Sequence, residues 1–410
     1  MTAETRPVGE ARAGQMVAWT QSSRVLERER ATVCSVEEWH RNVVAACASG
    51  ARLVGVFGWE NGAELVAVVA CDERNELGVV RAASAGGSFP TLTADLPAAQ
   101  AFEREVFEVH GCRPVGHPWL KPLRRPAAAD SFFRVEGRGV HEVAVGPVHA
   151  GIIEPGHFRF QCHGETVHHL EIQLGYQHRG VEGLLLRSAP ARRLAISESV
   201  AGDTAIGHAL AYCSAMEALG NVEVPLYAQA IRGIALELER IANHVGDLGA
   251  LCNDVGYLPG ASWFGRLRGD FLNLLAELGG NRFGRGLIRP GGVRCGLDAE
   301  QRRDILARLR KSERELVATA ELVFAVPSVC SRFERTGVIG YDAAEALGLV
   351  GPVARASGCD RDVRRDHPAG VFRFAHIPVS LGQSGDVMAR ALVRWLETQR
   401  ALTFVKEQIA

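Results

Sequence analysis

The segment from Tyr227 to Leu251 constrains the fold of this chain more than any other segment. Its apolar residues recur at i, i+3 and i+4, the spacing that places side chains on one face of an α-helix. These residues are Ile231, Ile234, Ala235, Leu238, Ile241, Ala242, Val245 and Leu248. An apolar face of this length must be covered by other helices, so the sequence predicts a helical bundle built around this segment.

The same helix carries a second stripe, which is polar. Glu237, Arg240, His244 and Asp247 recur at i, i+3, i+7 and i+10, so their side chains lie above one another in a narrow sector. The spacing alone favours a row of exposed ion pairs. The alternative is a buried polar stripe inside the bundle, in which the acids and the histidine relay protons.

The rest of the chain divides into two regions. Between Val33 and Val115 the pattern is mixed α/β, and it predicts a helix capped by Ser35 with Glu38, strands at Arg52–Gly58, Glu64–Ala70 and Gly78–Ala82, and a helix at Ala98–Val109. A proline-rich stretch from Gly116 to Pro126 then marks a domain boundary, because proline cannot continue a helix.

After this boundary the sequence predicts two strands, Val143–Val148 and Gly156–Gln161, and then mainly helices. The helical segments are Ile196–Leu219, Val224–Leu251, Trp263–Gly280, Glu300–Phe324 and Asp386–Gln408. The predicted fold class is therefore α+β. A small α/β domain with its linker occupies residues 1–126, and a mainly α-helical domain with a small β-sheet at its start occupies residues 127–410.

Composition excludes several classes of function. The 46 Lys and Arg residues balance 47 Asp and Glu residues, so no nucleic-acid partner is expected. The ten cysteines are scattered with no Cys-x-x-Cys pair, which argues against a disulfide framework and against a cysteine-only metal site. No apolar run has the length of a membrane span, so we expect any work at a membrane to depend on partner proteins.

Two short segments concentrate residues that could carry chemistry. The glycine-bounded turn Gly175–Gly183 contains His178, Arg179 and Glu182, and it is either a charged surface loop or a close approach to a ligand. The tip between two strands contains His149, Glu154 and His157. There a solvated hairpin is favoured over a site that binds a polar head group or accepts protons.

The dipeptides Cys162-His163 and His168-His169 resemble metal ligands at first sight. Adjacent residues on a strand point to opposite faces of a sheet, so neither dipeptide forms a natural chelate. No metal ligands are predicted in this chain.

Three motifs resemble the large subunit of membrane-bound nickel-iron hydrogenases of group 4, the formate-hydrogenlyase type. They are Gly146–Phe160, Leu174–Glu182, and Glu237–His244 followed by Asp247 and Asp254. All three also resemble the hydrogenase-like subunit of complex I (NADH-quinone oxidoreductase), which kept the hydrogenase fold without the metal. Ahead of them, Phe102–Gly111 with Gly116–Pro118 resembles the small α/β partner subunit of complex I, and the order matches related enzymes in which the two are fused.

The chain departs from the hydrogenase pattern at the metal site. The family places a Cys-x-x-Cys pair where this chain has Ala201 and Thr204, and a second pair near a C-terminus that extends beyond Ala410. The C-terminus is thus either naturally short or truncated. Because a nickel-iron centre needs thiolate ligands, the resemblance implies that this chain has none.

The complex I pattern is only partly met. The tyrosine that holds the quinone head group in that family stands near the position of Gly202, and His149 corresponds only loosely to the quinone-site histidine. Asp203 is a new carboxylate within this turn. It is either a proton carrier or an ordinary turn residue.

The resemblance implies a peripheral-arm subunit on the cytoplasmic side of the cell membrane. Its cavity would bind quinone or couple electron transfer to proton movement, beside a small subunit that holds a 4Fe-4S cluster. A ferredoxin-like subunit and membrane-embedded ion-translocating subunits would complete the complex. No cofactor other than quinone is expected on this chain.

The candidate residues fall into two groups. Those proposed for catalysis are Asp203, His208, Glu237 and His244, and those proposed for cofactor binding are His149, Glu154, His157, His178, Arg179 and Glu182. The alternative is a purely structural subunit with a closed cavity. An active hydrogenase is the least favoured hypothesis.

Overall fold

The computed structural model describes residues 16–22, 24–59, 62–84, 87–124, 132–147 and 155–410. The chain divides into two compact units between Leu123 and Arg124. Two of the candidate residues, His149 and Glu154, lie outside the described residues, as do residues 125–131 at the end of the proline-rich stretch and after it.

The first unit contains a five-stranded sheet with two helices. Its strands are β1 (Ala18–Gln21), β2 (Val33–Cys34), β3 (Arg52–Trp59), β4 (Glu64–Cys71) and β5 (Glu76–Ala83), and its helices are α1 (Val36–Ala48) and α2 (Gln100–His110). The antiparallel order is β1-β5-β4-β3, and β2 pairs in parallel with β5. A separate parallel pair joins β6 (Ser88–Pro90) to β7 (Arg113–Val115).

The predicted strands and helices of this unit are confirmed to within about two residues at each end. The predicted helix start is a complete capping box, in which the Glu38 amide donates to the Ser35 hydroxyl and the Ser35 amide donates to the Glu38 carboxylate. Trp39 of α1 is fully buried against the sheet. This unit therefore has a hydrophobic core of its own.

The second unit begins with a three-stranded antiparallel sheet. Its strands are β8 (Val140–Val145), β9 (His157–His163) and β10 (Thr166–Gln173), in the order β10-β9-β8. A short hairpin of β11 (Ile288–Arg289) and β12 (Gly292–Val293) lies later in the chain. The predicted strands of this region are confirmed, although β8 begins three residues before Val143 and ends at Val145.

Helices make up most of the second unit. They are α3 (Val181–Arg187), α4 (Pro190–Ser197), α5 (Ala205–Leu219), α6 (Leu226–Asp254), α7 (Leu258–Gly279), α8 (Ala299–Phe324), α9 (Pro327–Phe333), α10 (Tyr341–Ala346), α11 (Gly351–Ala356), α12 (Val363–Asp366) and α13 (Val387–Ile409). The long helix α6 packs most extensively against α7 and α13. All eight residues of its predicted apolar stripe are buried, which confirms the bundle.

One predicted helix, Ile196–Leu219, is not continuous. The segment Ile196–Leu219 is interrupted by a turn, because α4 ends at Ser197 and α5 begins at Ala205. The hydroxyls of Ser197 and Ser199 donate to the carbonyls of Leu194 and Ile196, both at 2.7 Å. Serine side chains that bond the backbone in this way compete with the next turn of a helix. We call residues 198–204 the 198–204 turn.

Among the described residues, no single helix is long and apolar enough to cross a membrane. Helices α8 and α9 taken together reach the required length and composition, but they are bent by 78° at their junction.

Candidate functional site

The 198–204 turn contains Ala201 and Thr204, at which the sequence resemblance predicts the cysteines of the hydrogenase pattern. Thr204 directly precedes α5, but its side chain does not cap that helix. The cap comes from α6 instead, because the carboxylate of Glu239 accepts hydrogen bonds from the amides of Ile206 at 2.7 Å and Gly207 at 3.0 Å. Glu239 was not among the residues predicted from the sequence.

The Glu239 carboxyl group is buried and has an unusual proton affinity. Burial raises the pKa of Glu239 to about 7, although the two backbone donors and Arg240 act in the opposite direction. The charge of Asp203 raises this pKa further. At neutral pH, Glu239 therefore exists in both protonated and ionised forms, as a proton carrier requires.

A second contact joins the turn to α6. The side-chain amide of Asn243 donates to the backbone carbonyl of Asp203 at 3.0 Å. Asn243 follows Glu239 by four residues, so both project from the same face of the helix. The sequence does contain a signal for this face. Glu239 and Asn243 are polar residues four positions apart, and neither belongs to the stripe that begins at Glu237.

The Asp203 side chain lies at the solvent side of the turn. It is 43% exposed, and one of its oxygens lies 3.2 Å from a guanidinium nitrogen of Arg268 on α7. The resemblance implies a site that the family keeps buried, but in this chain the Asp203 side chain is partly exposed. It remains within electrostatic reach of Glu239.

The turn that contains His178 and Arg179 contacts the 198–204 turn directly. The guanidinium of Arg179 donates to the carbonyl of Val200 at 2.7 Å. Gly175 begins this segment at φ +93°, and a Cβ atom there would lie 2.7 Å from the Cα of Arg124. The glycine therefore permits close approach of this segment to the backbone of Arg124, and the predicted approach to a ligand stays a prediction.

The remaining candidates of this segment are exposed. His178 and Glu182 both lie at the surface, and a Glu182 oxygen is 3.7 Å from a nitrogen of Arg124. His157 lies in β9, where its Nδ1 is 3.3 Å from the carbonyl oxygen of Gly146. Over the described residues, none of these three side chains forms a hydrogen bond or ion pair with the 198–204 turn.

His208 lies in the first turn of α5 and is half-buried. Burial lowers the pKa of His208, so its imidazole is held in the neutral form at neutral pH. A neutral imidazole can accept or donate a proton at different ring nitrogens.

Another face of α6 carries a buried charge network. Glu237 is fully buried and accepts from Arg240 at 3.0 Å and from Arg364 at 2.9 Å. The favoured interpretation of this stripe as exposed ion pairs is therefore wrong for Glu237 and His244. Residues of α11, α12 and α13 cover that face, which the spacing of one helix could not reveal.

Glu397 of α13 lies at the other end of this network. Its oxygens are 2.7 Å from Nε2 of His244 and 2.6 Å from Nε of Arg355. Burial alone would raise its pKa, but the bonds from His244 and Arg355 hold the pKa of Glu397 well below its usual range. Burial also lowers the pKa of His244. An ionised carboxylate can only accept, so Nε2 of His244 donates this hydrogen bond to Glu397.

Two further acids complete the network. Asp362 accepts two bonds from Arg364, at 2.9 and 2.6 Å, and these outweigh burial to lower the pKa of Asp362. Asp247 is 37% exposed and accepts from Arg394 at 2.8 Å. The sequence had indicated Glu237, Arg240, His244 and Asp247, but their partners from distant segments were missed: Arg355, Asp362, Arg364, Arg394 and Glu397.

The described residues do not fit a nickel-iron centre. Ala201 and Thr204 supply no thiolate, and the nearest cysteine along the chain, Cys213, is buried with its pKa raised to about 11 by that burial. A protonated thiol is a poor metal ligand. Within the described ranges, no group of three or more His, Cys, Asp or Glu side chains is arranged to hold a metal ion.

Comparison with known proteins finds matches over both units. Residues 254–410 match the model of the 49-kDa subunit of respiratory-chain NADH dehydrogenase, and residues 35–132 match that of the 30-kDa subunit. Formate hydrogenlyase subunit 5 of Escherichia coli is 33% identical over 348 residues, covering 77% of this chain and 61% of that protein. The chain also spans 59% of hydrogenase-4 component G from the same organism.

Two relatives are covered over most of their length. The carbon monoxide-induced hydrogenase of Rhodospirillum rubrum is 31% identical over 268 residues, covering 65% of this chain and 74% of that protein. A subunit of the NADH-quinone oxidoreductase of Clostridium beijerinckii is 30% identical over 251 residues, covering 61% of this chain and 68% of that protein. The chain therefore belongs to the family that unites the 49-kDa subunit of respiratory-chain NADH dehydrogenase with the large subunits of membrane-bound hydrogenases, here preceded by a region of the 30-kDa type.

Proposed function

We propose that this chain is a peripheral-arm subunit of a membrane-bound, hydrogenase-like or complex I-like oxidoreductase complex, and that its 198–204 turn transfers protons in step with electron transfer. The observation that carries the proposal is Glu239, a buried carboxylate with a pKa of about 7 that is bonded to the start of α5, directly after the turn. A group that changes its protonation near neutral pH suits proton transfer.

The proton would enter and leave through neighbouring polar groups. Asp203 raises the pKa of Glu239 through its charge and is partly exposed, so it offers a route between Glu239 and water. Arg179 bonds the same turn and His208 follows it in α5. Asp203 and His208 can thus exchange protons with Glu239 without a metal ion, whereas Arg179 stays protonated and holds the turn in place.

The chain would hold no nickel-iron centre. Quinone binding by the same chain is the finer proposal. Reduction of a quinone consumes protons as well as electrons. The Glu239 site could supply the protons. Gly202, however, offers no side chain to a head group. We therefore assign proton transfer to this turn, and no ligand of the quinone head group to Gly202.

The proposed partners are a 4Fe-4S small subunit, a ferredoxin-like subunit and membrane-embedded ion-translocating subunits, with this chain on the cytoplasmic side. Large apolar side chains on the surface of the second unit support assembly with other proteins. Leu219 at the end of α5 and Leu226 at the start of α6 are 68% and 69% exposed. Exposed apolar groups of this kind commonly mark protein interfaces.

A purely structural role is the second candidate. It is favoured by the charge network on the other face of α6, in which Glu237, Asp362 and Glu397 are each bonded to arginine. Paired, buried charges fix the positions of helices and need not carry protons. The two candidates differ in whether Glu239 affects turnover.

The assembly is tested by purifying the complex from its native membrane through a tag on this chain. We expect an iron-sulfur small subunit and membrane-embedded subunits to co-purify, and metal analysis to find iron without nickel. Recovery of the chain with neither type of partner would refute the assembly. Stoichiometric nickel would refute the metal-free site.

The role of the turn is tested with Glu239→Gln in the purified complex. Loss of a positioned proton-transfer group typically lowers the rate by about 10²–10⁴-fold. The matched control is Glu217→Gln, because Glu217 is a buried glutamate of α5 that pairs with Arg232 away from the turn. If both variants assemble and both turn over at the wild-type rate across pH 6 to 8, the structural role is correct.

A further inference from the structure

A cavity of about 250 Å³ lies beside α12, whose Arg364 also pairs with Glu237. Its walls are cationic and aromatic, formed chiefly by Arg364, Arg365, Arg373, His376, Phe372 and Phe374. Among the described residues, no acidic side chain lines it. Such a wall composition is typical of a site for an anion.

The charges of this cavity are only partly neutralised. Arg364 is paired with Asp362 and Glu237, and Arg365 is paired with Asp360 and Asp366. These two arginines therefore contribute less to the attraction of a ligand than an unpaired guanidinium does.

Arg373 and His376 differ from these two arginines. Within the described part of the chain, neither forms an ion pair or a side-chain hydrogen bond, and the Arg373 guanidinium lies only over the ring of Phe374, 5.8 Å from its centroid. The cavity therefore presents an uncompensated guanidinium beside an imidazole. Their donors remain available to a ligand.

An adjoining cavity of about 310 Å³ shares His376 and Ile377 with the first. It contains Arg400, whose guanidinium donates to the carbonyl of Pro378 and the hydroxyl of Ser380. Phe404 lines it and stacks on Phe372 of the first cavity, with ring centroids 5.4 Å apart. The aromatic wall is thus continuous between the two cavities.

We propose that the cavity beside α12 binds a small organic oxyanion, a phosphate or carboxylate attached to an apolar or aromatic group. The oxyanion contacts Arg373 and His376, with Arg365 at the edge of the site, and the organic group lies against Phe372 and Phe374. A guanidinium matches the paired oxygens of phosphate and carboxylate through two parallel hydrogen bonds. Phe372 is partly buried and Phe374 is 73% exposed, so contact with the organic group would remove apolar surface of both partners from water.

The test is isothermal titration of the full-length chain at constant ionic strength. The probes are phenyl phosphate, inorganic phosphate and benzoate. We expect saturable binding of phenyl phosphate and weaker binding of inorganic phosphate, which lacks the ring. Benzoate distinguishes the two oxyanions. If benzoate binds about as tightly as phenyl phosphate, the site accepts carboxylates. If benzoate does not bind, the site is specific for phosphate.

Variants separate a specific site from general positive charge. Arg373→Ala should weaken phenyl phosphate binding by about tenfold or more, because a charge-assisted hydrogen bond is lost. Arg373→Lys should weaken the binding less, because lysine keeps the positive charge but lacks the two parallel donors of the guanidinium. The matched control is Arg310→Ala, since Arg310 is an exposed arginine of α8 away from the cavity.

Two results would overturn the proposal. One is the absence of saturable binding of any probe to the wild-type chain. The other is an equal loss of affinity in Arg373→Ala and Arg310→Ala, which would indicate attraction to surface charge alone. Because Arg373 is exposed and unpaired within the described residues, its substitution should leave the fold unchanged, and circular dichroism checks this.

Discussion

Glu237 and Glu239 are two residues apart on α6, yet they have different environments. Glu237 faces Arg240 and Arg364, whereas Glu239 faces the backbone amides of Ile206 and Gly207. Guanidinium groups bring a compensating charge, and amides bring only a dipole. Burial of Glu239 therefore raises its pKa to about 7, although the two amide donors act in the opposite direction.

This difference predicts a pH dependence of stability. Because the pKa of Glu239 rises from an ordinary 4.5 to about 7 on folding, the folded state binds the proton more tightly than the unfolded state. The bound proton of Glu239 contributes about 3 kcal/mol to the stability of the folded state at low pH. This contribution is lost as the pH rises from about 4.5 to about 7.

Glu239→Gln removes the titrating group, so its free energy of unfolding should not show this loss. The free energy of unfolding of the wild type and of Glu239→Gln is measured with denaturant between pH 5 and 8. The quantity compared is the difference between the two free energies at each pH. Glu217→Gln is the control and should leave the pH dependence of the wild type. Parallel curves for wild type and Glu239→Gln would contradict the raised pKa.

At the scale of elements, α5 and α13 begin in different ways. The first turn of α5 is capped from α6 by Glu239, across the core. Helix α13 is capped by its own preceding residue, Asp386, whose carboxylate accepts from the amides of Ala389 at 2.8 Å and Arg335 at 2.9 Å. A local cap can be recognised from the sequence, and a cap from a distant helix cannot.

Asp386→Ala should destabilise the second unit by about 2 kcal/mol, because a cap is lost and the Arg335 amide loses its acceptor. The comparison is Asp298→Ala, which removes the N-cap of α8, where the capping bonds are exposed. That variant should lose only about 1 kcal/mol. Chemical unfolding measures both, and an equal or smaller loss in Asp386→Ala would refute the argument.

At the scale of the whole molecule, the two units have separate hydrophobic cores. The core of the first unit includes Trp39 and Val80, and that of the second includes Leu238 and Phe271. A unit with its own core can fold alone.

We therefore expect fragments divided between Leu123 and Arg124 to fold independently. Each should unfold cooperatively on heating, as followed by circular dichroism. The first fragment contains four tryptophans, and Trp39 is the fully buried one. Comparison with a Trp39→Phe variant gives the fluorescence of Trp39, which should shift to longer wavelength on unfolding. If Trp39 shows unfolded-state fluorescence in this fragment at room temperature, the fold of the fragment depends on the second unit.

The sequence by itself determined the helix α6, its apolar stripe, the capping box at Ser35 and the strands of the first unit. These features depend on side-chain periodicity and on contacts within a few residues, which are visible along the chain. That Ala201 and Thr204 stand where the hydrogenase pattern has cysteines stays a prediction from the resemblance.

Only the tertiary structure decided the electrostatic character of the site. Whether a charged stripe is exposed or buried depends on which distant segments cover it, and Arg364 and Glu397 reach α6 from more than a hundred residues away. The same holds for Glu239, whose partners are amides freed by a break in a helix that the periodicity predicted to be continuous. Burial and pairing set a pKa, and both are properties of the packed molecule.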